Sequence, residues 1–289
     1  MPATFAARLP HRGVLLLTGD DRVTFLNGLV SNDVSPTADG AAVWTAFLTP
    51  QGKVIADLFV VPGHTADGTA CLFLETDADR LDDLRSRLGR FRLRAKVALT
   101  VTDLAVAVTD SAPAAQTGVT AFTDPRHPLG GTRLIGPADA LPPGSDTETL
   151  IWQRHRLRLG LPEGSADLAP EQGFALEYGF DDLKGVDFRK GCFIGQETTA
   201  RMKWKHLTRK RLLPVHLEGP SPAAGTPVLD NGGIEIGTLR STVEDGQGGT
   251  LALAFLKLAP VRAGSALTAG TIPLTVTLPE WVKLPPEQA

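Results

Sequence analysis

Cysteine, tyrosine and long apolar runs are what this 289-residue sequence has least of. Its two cysteines, Cys71 and Cys192, are far apart, and neither sits in a Cys-x-x-Cys or Cys/His pattern, which argues against a disulfide scaffold and against a zinc site. The longest apolar stretches, such as Val14-Leu15-Leu16-Leu17 and residues 251–258, fall well short of the ~20 residues that cross a bilayer. No membrane span or membrane partner is expected. The opening residues 1–8 lack an apolar segment followed by a small-residue cleavage site, so no secretory signal is read and a cytoplasmic location is the expectation. A large excess of one charge is also missing: the formal net charge of −3 does not mark the whole chain as a binder of nucleic acid or of membrane surfaces. What is present, 42% hydrophobic residues over this length, suffices for a substantial core divided into two or three compact units.

Periodicity gives an α+β beginning. A short apolar run at 13–17 precedes a helix that Asp20 or Asp21 is placed to cap and that buries Val23, Leu26 and Val30. Residues 43–48 and 54–61 read as two strands joined by the tight turn Thr49-Pro50-Gln51-Gly52. A strand at 70–75 leads to an amphipathic helix through Leu81, Leu84, Leu88 and Phe91, and more strand follows around 97–108. Residues 111–149 read as loops around one short strand at Arg133-Leu134-Ile135, and residues 152–159 as a helix closed by Gly160-Leu161-Pro162. Beyond Lys210, runs at 212–217, 226–229, 234–242, 251–258 and 272–278 are short and β-type, separated by Gly and Pro. They predict a terminal β-barrel, giving an α+β region over 1–205 built of two interleaved subdomains and a barrel domain over 206–289.

The chemistry concentrates at Lys190-Gly191-Cys192-Phe193-Ile194-Gly195-Gln196-Glu197. Lys190 and the start of a helix at Gln196 make the surroundings of Cys192 electropositive, which suits a nucleophile, a redox thiol or a soft metal ligand. A small buried hydrophobe is the competing reading, and for Cys71, inside the strand run Leu72-Phe73-Leu74, it is the favoured one. Gly191 and Gly195 permit close approach to a flat ligand, while Gln196 and Glu197 offer an amide and a carboxylate to the donor edge of a pterin-like ring. For Glu197 alone the favoured reading is a first-turn acid that complements the helix dipole without any ligand.

With Arg201 four residues on, this segment resembles the K-G-C-x-x-G-Q-E-x-x-x-R signature of the YgfZ family, relatives of the glycine cleavage T-protein. Phe193 stands where tyrosine is commoner. Residues Phe25-Leu26-Asn27-Gly28-Leu29-Val30-Ser31-Asn32-Asp33-Val34 resemble the family's F-L-x-x-L-x-T-N-D-v segment. Leu48-Thr49-Pro50-Gln51-Gly52-Lys53-Val54 resembles its L-x-p-x-G-r turn, and Asp124-Pro125-Arg126 with Leu129-Gly130 its D-P-R-x-x-x-L-G segment. The resemblance implies a T-protein-like fold, ferredoxin-like α+β subdomains around a folate site followed by a β-barrel. It implies a tetrahydrofolate cofactor or a one-carbon derivative, and a role in assembling or repairing iron–sulfur client proteins, with indirect effects on tRNA modification. Carried over residue by residue, Cys192 is the functional thiol, and Lys190, Gly191, Gln196, Glu197 and Arg201 complete the folate-binding motif, joined by Asn32 and Asp57. The loop around Cys192 is expected to line an open cavity sized for a reduced pteridine.

An aminomethyltransferase or demethylase is the alternative activity, but two of the T-protein's acids are missing. Its G-x-x-x-D-D pattern becomes Gly52-Lys53-Val54-Ile55-Ala56-Asp57, with one acid of the pair absent. Its R-x-E-x-G pattern becomes Arg156-Leu157-Arg158-Leu159-Gly160, and cationic Arg158 cannot act as an acceptor. Asp57 interrupts an apolar strand and needs a polar partner; it faces either the ligand or solvent. Asn32 and Asp33 either turn the chain or contact the ligand. Finally, residues 201–211 hold six Lys or Arg around Trp204, a composition for RNA contact, for a folate polyglutamate tail, or for a solvated face.

Overall fold

Strand alternation sorts the N-terminal side chains into two cores, because successive residues of a strand leave opposite faces. The computed structural model describes residues 4–111 and 113–286. Residues 1–3 of the stretch read for a secretory signal, residue 112 in the loop-rich middle and residues 287–289 at the end of the expected barrel domain lie outside the described residues. After the short β1 (Ala6–Arg8), β2 (Arg12–Thr18) sends Leu15 and Leu17 to one core and Val14 to the other. Likewise β3 (Val43–Leu48), β4 (Val54–His64) and β5 (Ala70–Asp77) split Val60, Leu72 and Leu74 from Trp44, Phe59 and Phe73. With β6 (Ala98–Val101) they form an antiparallel sheet of order β3-β4-β5-β2-β6.

Helices α1 (Arg22–Asn27) and α2 (Leu81–Gly89) cover one face of that sheet through Phe25, Leu26, Leu81, Leu84 and Leu88. Neither Asp20 nor Asp21 caps α1 with its side chain; instead Asp21 accepts a hydrogen bond from the Lys96 main-chain N–H at 2.7 Å, tying the helix to the segment before β6. Phe91 lies past the end of α2 and is exposed. Against the other face packs a second antiparallel sheet, order β1-β7-β9-β8, made by β7 (Ala105–Thr109), β8 (Thr120–Thr123) and β9 (Thr132–Gly136). The chain thus interleaves: β1 belongs to the second sheet and β2 to the first. Within 111–149 the sequence signalled β9 but not β8, whose run Thr120-Ala121-Phe122-Thr123 offers only Phe122 to the core.

Helix α3 (Asp146–Leu159) begins earlier than the apolar signal at 152, because Ser145 caps it, accepting from the Glu148 N–H, and its first turn is polar. It ends at Gly160 in the left-handed conformation, as the Gly-Leu-Pro sequence predicts. A short helix α4 (Gly164–Asp167) follows, then α5 (Gln196–Trp204). The terminal region closes a barrel of order β10-β13-β12-β11-β14-β15, with β10 (Lys210–Leu217), β11 (Pro227–Leu229), β12 (Glu235–Glu244), β13 (Thr250–Lys257), β14 (Leu267–Ala269) and β15 (Ile272–Val276). The three-residue β14 was not signalled by the sequence. Trp281, beyond the barrel, donates its indole N–H to the Leu159 carbonyl at 2.8 Å and so ties the chain's end back to α3.

Candidate functional site

Three of the sequence segments singled out above meet at one place. Residues 185–195 run from the core between the two sheets toward α5, and the Lys190 ammonium donates to the carbonyls of Asn27, Val30 and Asn32 at 2.7, 2.8 and 2.7 Å. An ammonium has three donors, and all three are used. Lys190 thus fixes the loop to the turn after α1 instead of reaching for a ligand. Burial pushes its pKa down to about 8, with Asp33 and Asp187 pulling the other way. Ser31 adds a hydroxyl hydrogen bond to the Gly185 carbonyl at 2.7 Å, and Asn32 donates its side-chain amide to the carbonyls of Lys184 and Trp44. The Asn32 side-chain oxygen accepts from the Asp33 N–H, so this residue turns and ties the chain with every polar atom of its amide engaged.

On the other side, the hairpin turn between β3 and β4 presses against the start of α5. Gly195 holds φ +81°, and a β-carbon there would lie 2.7 Å from the Thr49 carbonyl oxygen and 2.9 Å from the Gly52 Cα. Only glycine fits that approach. Phe193 is buried in the core between the sheets, and Ile194 packs on the core beneath α1 and α2. Pinned by these two side chains, Gly191 and Cys192 face outward, and both are exposed. The aromatic ring at position 193 is therefore an anchor, which phenylalanine provides as well as tyrosine.

Gln196 is half-buried, while Glu197 and Arg201 are exposed one turn apart on α5. Cavities of about 640, 180, 400, 360 and 910 Å³ are lined by other residues, none from 190–197. The inward turn of Phe193 and Ile194 fills the space under the loop. Arg158, at the position of the T-protein's glutamate, is exposed as well.

Asp57 lies elsewhere and faces neither solvent nor the Cys192 loop. Alternation along β4 turns it between the two sheets, where Arg12 donates to both its oxygens at 3.1 and 3.3 Å and the Trp44 indole to one at 3.4 Å. Arg12 also binds Glu75 at 3.0 Å and Asp77 at 3.4 Å, and Arg133 joins Glu75 to Glu163. Burial disfavours the Arg12 cation, yet Asp57, Glu75, Asp77 and Glu163 outweigh it and hold its pKa above the ordinary arginine value. Sequence reasoning found only Asp57 of this buried network. The same signal, a charge interrupting an apolar strand, was available for Arg133 in Thr132-Arg133-Leu134-Ile135 and for Glu75 after Leu72-Phe73-Leu74. Asp124 and Arg126 are likewise a buried pair, 2.6 Å apart, with the guanidinium 4.7 Å from the centre of the Phe59 ring.

The basic run at 201–211 is partly consumed by the fold. Lys203 binds Asp181 at 2.8 Å, and buried Arg211 binds Asp182 at 2.5 Å. Trp204 is 69% exposed and meets the edge of Phe188 at 6.0 Å. Among the described residues no helix is long and apolar enough to cross a membrane.

Comparison with known proteins bears on fold and family. Residues 209–284 match the model of the CAF17 C-terminal β-barrel domain. The chain is 36% identical over 246 residues to the mitochondrial iron–sulfur cluster assembly factor IBA57 homolog of Mycosarcoma maydis, covering 78% of this chain and 60% of that protein. It is 34% identical over 244 residues to the mitochondrial iron–sulfur cluster assembly factor IBA57 of Mus musculus, covering 75% of this chain and 68% of that one. The chain thus spans about six-tenths of the fungal relative's length. Among solved structures, the glycine cleavage system aminomethyltransferase T from Bartonella henselae superposes with a TM-score of 0.75 at 15% identity, over 98% of this chain and 88% of that chain. The α+β, T-protein-like fold with a terminal barrel is what the resemblance implied; at this identity the likeness shows the fold alone. The cytoplasmic expectation is overturned by the relatives, whose names place them in the mitochondrion.

Proposed function

The chain belongs to the IBA57 family of iron–sulfur cluster assembly factors, and from that premise we propose that it is an accessory factor in iron–sulfur cluster assembly or repair, with Cys192 as the thiolate that contacts the cargo. One observation carries this reading: the loop 190–195 is clamped from both sides, by Lys190 and by Gly195, while its single thiol stays open to solvent. A rigid, exposed thiolate is suited to donate one ligand to iron. One cysteine does not complete the four-thiolate set of a common cluster, so the remaining ligands come from an iron–sulfur client or carrier protein docked over this loop. The other cysteine, Cys71, is buried in β5 and takes no part.

Tetrahydrofolate is the cofactor the resemblance to YgfZ-type proteins implies. The residues assigned to it at 190–201 do not fit a pterin, since Lys190 is saturated by carbonyls and Glu197 and Arg201 stand on an open helix face. No step of the proposed role passes through folate, and effects on tRNA modification are secondary to the client enzymes.

In cells lacking this protein, the activity of iron–sulfur enzymes is expected to fall, to return with the unaltered chain and to stay low with Cys192→Ser. Normal enzyme activity in those cells would remove the assignment.

A further inference from the structure

The buried charge network opens onto a cavity that the Cys192 loop does not touch. About 640 Å³ in volume, it is lined by His11 just before β2, Asp77 at the end of β5, Arg156 on α3, Glu163 and Ser165 at the start of α4, and Ser241 of the barrel. That size is within the range of small-molecule sites, roughly 300–1,000 Å³.

Asp77 and Glu163 in its wall belong to the buried network behind it, whose charge is out of balance. Four carboxylates, Asp57, Glu75, Asp77 and Glu163, share two guanidiniums, Arg12 and Arg133. Neighbouring cations do not make up the difference, because Arg156 is paired with Asp167 at 2.7 Å and Arg126 with Asp124 at 2.6 Å. Asp77 has the weakest partner, Arg12 at 3.4 Å, and its other oxygen accepts from the Ser165 N–H at 2.6 Å. Asp79, at the rim, adds a further negative charge, and His11, half exposed and bonded to Glu163 at 2.9 Å, adds a positive one only when protonated. Burial raises the pKa of Asp77, as expected for a carboxylate short of a cation.

We infer that this cavity binds a small organic cation, a molecule bearing an ammonium or amidinium group. An excess of carboxylates over guanidiniums in a low-dielectric wall attracts a positive ligand far more strongly than the same excess on an open surface. Among the described residues no group of three or more His, Cys, Asp or Glu is set to hold a metal ion, which points to an organic cation. The cationic head sits against Asp77 and Glu163, with Ser165 and Ser241 also in the cavity wall.

Calorimetric titration of the full chain with agmatine, which carries a guanidinium and an ammonium, tests the inference, with glutarate as a dianion of similar length. Agmatine is expected to bind and glutarate not to. Asp77→Asn should weaken agmatine at least about tenfold, as loss of one close charge does. Ala166→Trp, at an exposed position in the cavity wall, should abolish binding without changing any charge, and it decides the matter if Asp77→Asn does not fold. No heat with agmatine, equal binding of glutarate, or full affinity in a folded Ala166→Trp chain would overturn the inference.

Discussion

The ammonium of Lys190 lies 2.8 Å from the carbonyl oxygen of Val30, a contact spanning 160 residues of sequence. It joins two segments that the sequence marks separately, 25–34 and 190–201, and it gives the lysine two residues before Cys192 a structural task. Lys190→Met leaves three carbonyls without their donor, an expected loss of about 1–3 kcal/mol. Lys190→Arg should restore part of it. Urea midpoints of the three chains check this, together with the rate at which Cys192 reacts with a thiol reagent, which should change in the methionine variant as the loop loosens.

The two cysteines should separate completely in reactivity. Cys192 is exposed, whereas burial pushes the Cys71 thiol up to about 11. At pH 8 one thiol per native chain should react with an alkylating reagent and a second only in denaturant; peptide mass mapping that places the fast label on Cys71 would contradict the structure.

Glycines four residues apart should behave in opposite ways. Gly191→Ala meets nothing within 4 Å and should leave the melting temperature unchanged. Gly195→Ala forces a β-carbon onto the hairpin turn at positive φ and should cost about 1–3 kcal/mol or more. Thermal melts of the pair distinguish a loop braced at one end from one that is merely glycine-rich.

Much of this was legible in the sequence, and the limits have physical causes. The hairpin 43–61, the strand begun at 70–75 and the barrel apart from β14 declare themselves because alternation and turn residues are local signals. Strand β8 and the polar first turn of α3 do not, since each gains its stability from packing and a cap that periodicity does not record. At the site, the motif marks Cys192, which is exposed, while the polar groups of two of its assigned companions are engaged by the fold. Asn32 and Lys190 read as ligand contacts because amide and ammonium are ligand-binding groups; their partners are main-chain carbonyls, those of Trp44 and Lys184 for Asn32 and those of Asn27, Val30 and Asn32 for Lys190. Asp57 read as facing ligand or solvent; its partner is Arg12 on β2, 45 residues away in sequence but in the same sheet, and both side chains are buried.

Acid should reveal the buried network. Glu163 is buried, which alone would raise its pKa, but hydrogen bonding to His11 and the charge of Arg133 hold it well below the ordinary value of 4.5. The unfolded chain therefore takes up this proton first, so the stabilisation is fully present above pH 4.5 and is lost as pH falls toward the native value. In Glu163→Gln that part of the acid dependence should vanish, leaving a chain less stable at pH 7 and flatter below pH 4.5; parallel stability curves for the two chains would refute it.

The role of residue 192 is tested most directly by anaerobic reconstitution with iron and sulfide, glutathione supplying the remaining thiolates, followed by gel filtration. The unaltered chain should carry visible cluster absorption through the column, and a correctly folded Cys192→Ser chain should emerge colourless. Equal absorption in both would show that this thiol is not the ligand.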